Sequence, residues 1–196
     1  MRDEKASVRG MVYASMFGAG TAVGAYIIIP IPPVPITLQT FFLYLAAALL
    51  GGRLASLSQF VYLLLGIIGL PVFSGGKAGL GVLFGPTGGY LIGFIVGAFI
   101  IGKMIEIRER PGLLWIMISM AAGTTVVYLL GVIQLSFVAK LTVIKSLSVG
   151  VIPFLMGDLL KIIIASAVTL KVRDRIKMFS VSRDRSKNSK VDGDQV

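Results

Sequence analysis

Long apolar stretches, separated by short breaks rich in glycine, proline or charge, run through most of the sequence. A helix needs about 20 mostly apolar residues to cross the hydrocarbon core of a bilayer, and it satisfies its own backbone hydrogen bonds there. The pattern therefore predicts an all-α integral membrane protein, a single membrane domain over residues 1–196 whose six-helix bundle spans residues 8–171. We expect its six transmembrane helices at residues 8–29, 36–51, 54–71, 85–103, 113–137 and 150–171.

Composition agrees with this pattern. The chain is 56% hydrophobic and 14% charged, with a mean hydropathy of +0.90, whereas soluble domains are about 25% charged. The segment from Pro30 to Pro35 carries four prolines, which lack an N–H and push the preceding residue into an extended conformation. No helix is expected to run through that segment.

Charge sets the expected orientation. With the N-terminus in the cytoplasm, 15 of the 19 Lys and Arg residues lie on the cytoplasmic side and three on the outside, Lys77, Lys140 and Lys145, while Lys161 lies within a helix. Cytoplasmic loops carry such an excess, so both termini are predicted to be cytoplasmic. Residues 172–196 are polar and basic without periodicity, which predicts a disordered cytoplasmic tail near anionic membrane lipid rather than a nucleic-acid site.

Several kinds of chemistry are excluded by what the sequence lacks. It contains no Cys and no His, which removes disulfides, zinc sites and His-based acid–base catalysis. Residues 75–78 resemble the end of a phosphate-binding loop, but Ala78 stands where Ser or Thr is needed and Pro71 where the first Gly belongs. We therefore predict neither an enzyme nor an ATPase, and no cofactor or metal.

Two charged residues stand out because they fall in the interior of a predicted apolar helix. Asp158 and Lys161 lie three residues apart, so they share one helix face. Burying either charge in a membrane is costly, and such residues commonly mark a site or a pathway. Two interpretations stay open: the pair binds a polar ligand, or it is a mutual ion pair that fixes the helix.

Further polar residues cluster on the same predicted outer side. They come from the start of the second helix, from the loop after the third, and from the start of the fourth, where free N–H groups favour an anion. The predicted binding residues are Asp158, Lys161, Tyr90, Gln39, Thr37, Tyr44, Gly75 and Thr87. Thr40 lies on the same helix face as Thr37 and Tyr44.

Two stripes of small residues recur every four positions, a spacing that lets membrane helices approach closely. Gly89, Gly93 and Gly97 in the fourth helix are expected to pack inside the bundle. The stripe in the first helix is instead expected to face a partner membrane protein, and it consists of Ala14, Gly18 and Ala22.

Four segments together resemble the BioY family, the biotin-specific S-components of energy-coupling-factor transporters. They are PVPITLQTFF (33–42), GLPVF (69–73), GPTGGYLIGF (85–94) and PFLMGDLLK (153–161). The resemblance covers about residues 8–171, in the same order, and leaves the basic tail uncovered.

The resemblance implies six helices with cytoplasmic termini and a biotin site near the outer surface, under the loops after helices one, three and five. It implies that Asp158 and Lys161 contact biotin, with Asp158 accepting from the ureido N–H groups and Lys161 donating to a polar oxygen. It also implies two kinds of partner, a transmembrane T-component and two cytoplasmic ATPases. The family docks its T-component through an Ala-xxx-Ala stripe in helix one, which here reads Ala14 to Gly18, with Gly in place of the second Ala.

Alternatives to this interpretation come from three classes. The first is an S-component for another vitamin, such as thiamin or riboflavin. The second is a stand-alone secondary transporter of biotin or another vitamin, although no internal repeat of the kind common in such transporters is evident. The third is a membrane enzyme, which the missing His, Cys and carboxylate pair disfavour.

Overall fold

The computed structural model describes the backbone of residues 8–193 and the side chains of residues 8–173. In that part of the chain, two short strands, β1 (Ile28–Ile29) and β2 (Ile36–Thr37), pair antiparallel. All other regular structure is helical. The α-helices are α1 (Val8–Gly24), α2 (Gln39–Leu50), α3 (Gly52–Ile67), α4 (Leu80–Leu83), α5 (Gly88–Glu106), α6 (Leu113–Val138), α7 (Val143–Gly150) and α8 (Ile152–Gly193).

Six of these helices, α1, α2, α3, α5, α6 and α8, correspond in position to the six that the sequence predicts. Within the described residues, α5, α6 and the first part of α8 are long and apolar enough to cross a membrane, and α2 and α3 are apolar but shorter. The chain is therefore a multi-pass helical membrane protein. The exact number of spans and the cytoplasmic position of both termini stay predictions.

The first helix ends earlier than predicted. α1 stops at Gly24 rather than at residue 29, because the chain turns through Ala25 and Tyr26, whose N–H groups donate back to Thr21 and Val23. The residues beyond form the β1–β2 hairpin, in which Ile28 pairs with Thr37. This pairing places the proline-rich segment at the tip of the hairpin, where its residues do not have to donate N–H groups to a neighbouring strand.

The last helix ends later than predicted. The backbone of α8 continues to Gly193, whereas the apolar pattern ends at residue 171. The disorder predicted for the tail over residues 172–196 stays a prediction, since the side chains beyond Arg173 lie outside the described residues.

The glycine stripe of α5 packs directly on α6, as predicted. A Cβ at Gly93 would lie 2.8 Å from the Cα of Val127, and one at Gly97 would lie 3.0 Å from the carbonyl oxygen of Gly123. No larger residue fits at such distances. The two helices therefore form a closely packed pair whose backbones are in contact.

The small-residue stripe of α1 faces inward, which corrects the predicted docking surface. Ala14 and Gly18 are buried, and a Cβ on Gly18 would lie 3.1 Å from the carbonyl oxygen of Ser58 in α3. Ala22 packs against the same core. The spacing of four correctly indicates a close helix contact, but the contact is with α3 of the same chain and not with a partner.

A tight junction joins α2 to α3 at the end of the bundle opposite the hairpin. Gly51 turns the chain with a φ of 82°, a left-handed value that favours glycine. The N-terminus of α3 is capped from α5, because the N–H of Gly52 donates to Glu106 Oε1 at 2.8 Å. Arg173 of α8 donates to the carbonyl oxygen of Ala48 near the C-terminus of α2, at 3.2 Å. Four helices, α2, α3, α5 and α8, are thus tied together at this end.

Replacing Gly18 by leucine is expected to destabilise the protein by about 1–3 kcal/mol, because the new side chain overpacks the contact with Ser58. Ala19→Leu is the matched control, since Ala19 is the next residue along and is exposed. Thermal stability of both purified variants, followed by size-exclusion chromatography in detergent, checks this. Equal stability of the two variants would contradict the inward orientation of the stripe.

Candidate binding site

A cavity of about 80 Å³ lies at the end of the bundle that carries the β1–β2 hairpin. Helices α2, α5, α6 and α8 contribute to its walls, together with the hairpin and the segment that joins α3 to α5. Most of its lining is apolar, and these residues include Val34, Pro35, Phe73, Val82, Leu91, Phe94, Val127 and Phe154. The end of the bundle is the one predicted to face outward.

The two charged residues of α8 lie together at the cavity wall. Lys161 Nζ lies 2.8 Å from Asp158 Oδ1, and the side chains are only 12% and 6% exposed. Both residues line the cavity. The two interpretations left open by the sequence are thus compatible, because the ion pair exists and it also faces the space where a ligand would lie.

Two hydroxyl groups complete the surroundings of the Asp158 carboxylate. Thr40 Oγ1, from α2, donates to Oδ1 at 2.9 Å, and the Tyr128 hydroxyl, from α6, donates to Oδ2 at 2.5 Å. With Lys161, the carboxylate accepts three hydrogen bonds, out of about four that its two oxygens can take. One acceptor position on Oδ2 remains, on a residue that lines the cavity.

The Lys161 ammonium group is fully occupied. Besides Asp158, it donates to the carbonyl oxygen of Thr37 at 2.7 Å and to Thr40 Oγ1 at 3.1 Å. An ammonium group has three N–H donors and no acceptor. Lys161 can therefore donate to a ligand only by giving up one of these three bonds.

A chain of side-chain hydrogen bonds leads from this cluster to the segment after α3. Thr37 Oγ1 donates to Gln39 Oε1 at 2.8 Å, and Gln39 Nε2 donates to the Tyr62 hydroxyl at 2.5 Å. That hydroxyl donates in turn to the carbonyl oxygen of Val72 at 3.1 Å. The chain connects the charged pair to the loop that covers the cavity.

Tyr90, from the first turns of α5, forms another part of the wall. Its hydroxyl donates to the carbonyl oxygen of Gly150 at 2.8 Å, and its ring lies 6.5 Å from that of Phe154. Tyr90 is 8% exposed, so its hydroxyl has a protein partner and its ring supplies surface to the cavity.

The sequence of the chain matches one protein family over most of its length. The sequence model of the BioY family covers residues 1–178. The chain belongs to the BioY family.

Individual members and one solved structure agree with this assignment. The biotin transporter BioY of Thermotoga maritima is 45% identical over 166 residues, which cover 85% of this chain and 96% of the relative. The probable biotin transporter BioY of Pyrococcus horikoshii is 39% identical over 160 residues, covering 81% and 91%. A crystal structure of the S-component for biotin from an ECF-type ABC transporter matches with a TM-score of 0.79 at 30% identity, covering 89% of this chain and 95% of that one.

The four segments that carry the resemblance to the BioY family are also those that build the cavity. Each of the segments 33–42, 69–73, 85–94 and 153–161 contributes at least one lining residue. The family motifs are therefore brought together in space, although they are far apart in the sequence.

Six of the eight predicted binding residues line the cavity, and two do not. Asp158, Lys161, Tyr90, Gln39, Thr37 and Thr87 line it. Tyr44 is buried behind the wall, where its hydroxyl lies 2.7 Å from Thr124 Oγ1. Gly75 is not among the lining residues, and its N–H donates to the carbonyl oxygen of Ala25 at 3.4 Å. Its neighbour Ser74 takes the place that the sequence assigned to Gly75.

The sequence analysis missed Tyr128 as a site residue. Thr124 and Tyr128 lie four residues apart and so share one face of α6, and they contact Tyr44 and Asp158 respectively. The polar face of α6 was therefore visible in the sequence. Lys77 also lines the cavity, although from the sequence it was counted only as an outer-loop charge.

Removing Lys161 should leave a buried carboxylate without its counter-ion. We expect Lys161→Met to destabilise the protein by about 2–4 kcal/mol, and the double variant Lys161→Met/Asp158→Leu to recover most of that loss, since buried pairs are costly mainly when one partner is missing. Equilibrium unfolding in mixed micelles measures both. A double variant less stable than Lys161→Met would show that the pair itself is strongly stabilising.

Proposed function

We propose that this chain is the biotin-binding transmembrane subunit, the S-component, of an ATP-driven energy-coupling-factor vitamin importer. In this role it captures biotin at the outer face of the membrane and delivers it inward, as a transport subunit and not an enzyme. The observation that carries the proposal is the Asp158 carboxylate, positioned by Lys161, Thr40 and Tyr128 in the wall of a largely apolar cavity. The biotin transporters among its relatives support the choice of ligand.

The chemistry of biotin suits this arrangement. Its ureido ring carries two N–H donors, and the remaining acceptor position of Asp158 Oδ2 can take one of them. The Asp158 carboxylate can accept the second N–H if one of the protein hydroxyls that now donate to it gives up its hydrogen bond. The fused rings and the aliphatic chain suit the aromatic wall made by Phe73, Phe94 and Phe154.

Lys161 supports Asp158 more than it contacts the ligand directly. Its three N–H donors are bound to Thr37, Thr40 and Asp158, so donation to the ureido oxygen requires an exchange of partners. The Tyr128 hydroxyl donates its hydrogen bond to Asp158, and its oxygen keeps acceptor capacity for a ligand donor. We therefore assign Asp158 and Tyr128 to ligand contact and Lys161 to holding the carboxylate in place.

Asp158→Asn should weaken biotin binding at least about tenfold, because hydrogen bonds to a charged group are the stronger ones and the change leaves Lys161 uncompensated. Tyr128→Phe should weaken binding by a smaller factor. Equilibrium binding of labelled biotin to the purified chain in detergent, with thiamin and riboflavin as competitors, measures this. Thr125→Val is the matched control, since Thr125 lies on the exposed side of α6 and donates to its own helix.

Two outcomes would count against the assignment. An Asp158→Asn variant that binds biotin as tightly as the parent would remove Asp158 from the site. Displacement of biotin by thiamin or riboflavin would point to a different vitamin.

The proposed partners are a transmembrane T-component and two cytoplasmic ATPases. Since Ala14 and Gly18 are buried against α3, we place the docking surface on the outward face of α1. Ser15 and Ala19 are small, exposed and one helical turn apart there, so a partner helix can approach closely. The alternative is a stand-alone secondary transporter, in which this face contacts membrane lipid.

Ala19→Leu or Ser15→Leu should reduce ATPase-dependent biotin uptake in cells several-fold while leaving biotin affinity in detergent unchanged, because the added bulk keeps a partner helix away. Met16→Leu, an exposed and nearly isosteric change on α1, is the control. Uptake that persists without the ATPases, and that neither leucine variant reduces, would favour the stand-alone transporter.

A further inference from the structure

The charged side chains that line the cavity sum to one net positive charge. Among the described residues that line it, three carry charge, namely Lys77, Asp158 and Lys161. Lys161 and Asp158 neutralise each other at 2.8 Å, and the Lys161 ammonium has no donor to spare. A ligand with a carboxylate therefore needs a different cation.

Lys77 is the cation that is available. It lines the cavity and is exposed. In residues 8–173, the two ion pairs join Lys103 to Glu106 and Lys161 to Asp158, so Lys77 has no carboxylate partner in that part of the chain. Its position at the covering segment places its charge at the rim of the cavity rather than at the Asp158 cluster.

The turn that carries Lys77 is well defined. The N–H of Phe73 donates to the carbonyl oxygen of Lys77 at 3.0 Å, and that of Gly76 donates to Phe73 at 2.9 Å. Gly75 and Gly76 adopt φ values of 71° and 74°, which glycine reaches without strain. Phe73 is 1% exposed and packs edge-on against Tyr62 at 5.8 Å. The turn is thus anchored to the bundle by the buried ring of Phe73.

A second polar group on this turn lacks a partner. Ser74 lines the cavity, and its Oγ is buried without a hydrogen-bond partner among the described residues. Such groups are uncommon in folded proteins, and of the five in the described residues Ser74 is the one that lines the cavity. The Ser74 hydroxyl and the Lys77 ammonium group, which lie on the same turn, supply what a carboxylate needs, one donor and one positive charge.

We infer that the turn 73–77 forms a second subsite, in which Lys77 and Ser74 Oγ bind the carboxylate of the ligand. This inference rests on the proposed function and extends it. The ligand is recognised at two ends: a neutral hydrogen-bonding head at Asp158, and an anionic tail at the covering loop. The site then selects for a monoanion, since the cavity carries one net positive charge.

A comparison of biotin with its uncharged methyl ester distinguishes the contributions of the two ends of the cavity, because the ester keeps the ureido head and lacks the carboxylate charge. We expect Lys77→Gln to weaken biotin binding about five- to twentyfold, between the effect of an exposed ion pair and that of a buried charged hydrogen bond, and to leave binding of the ester unchanged. Lys77→Arg should keep biotin affinity within about twofold, because it preserves the charge. Ser74→Ala should cause a smaller loss, again for biotin alone.

Equilibrium binding of both ligands to the full chain in detergent measures these effects, and Lys145→Gln serves as a control for the loss of an exposed outer lysine away from the cavity. Unchanged biotin affinity in Lys77→Gln, or an equal loss for biotin and its ester, would overturn the subsite. A parent protein that binds neither ligand would overturn the proposed function, and the subsite with it. Ester binding by the parent that is measurable but weaker than biotin binding, together with a selective loss for biotin in Lys77→Gln, would establish it.

Discussion

The buried pair of Asp158 and Lys161 is the constraint on which the rest of the site depends. A charge inside a membrane protein is costly unless it is paired and its remaining hydrogen-bonding capacity is used. Here that requirement recruits Thr37 from β2 and two other helices, through Thr40 from the start of α2 and Tyr128 from α6. The pair thereby fixes how α2, α6 and α8 stand relative to one another around the cavity. A slip of one residue in any of them would leave an unsatisfied charge, so the position of the cavity is determined by electrostatics as much as by apolar packing.

The wall opposite α8 has a different physical basis. α5 and α6 are in contact through glycines, where a Cβ at Gly93 would lie 2.8 Å from a backbone atom of α6. Such a contact leaves little freedom to slide. The covering segment after α3 is held by hydrogen bonds, such as that from Gly75 to Ala25, and by the buried ring of Phe73. The cavity thus lies between a wall in which helix backbones are in contact and a covering turn anchored at Phe73.

The parts of the fold that depend on local chemistry could be predicted from the sequence. Prolines and glycines located the breaks, and the rarity of charge in apolar stretches identified Asp158 and Lys161. The sequence did not predict whether a helix face points into the bundle or toward a partner protein. The spacing of Ala14 and Gly18 shows that another helix comes close, but a spacing is the same whether that helix is α3 or belongs to a partner. Likewise, Gly75 is required by the geometry of the turn, while its neighbours Ser74 and Lys77 face the cavity. Whether a turn residue shapes the backbone or faces the cavity depends on the anchoring of Phe73 under Gly66, which only the structure supplies.

The occupancy of Lys161 also changes how ligand selectivity should be understood. If the lysine of α8 were free, a single carboxylate could bind beside it and the neutral head of the ligand would add little. Because its three N–H donors and its charge are already used, the α8 cluster acts toward a ligand as a neutral acceptor, with one open position on Asp158. An anion alone gains nothing from that position, and a neutral head alone leaves the charge of Lys77 unmatched at the rim. A molecule that carries both groups, separated by an apolar body, satisfies the two ends together. In the proposed site, selectivity then depends on both ends of the cavity and on the distance between them.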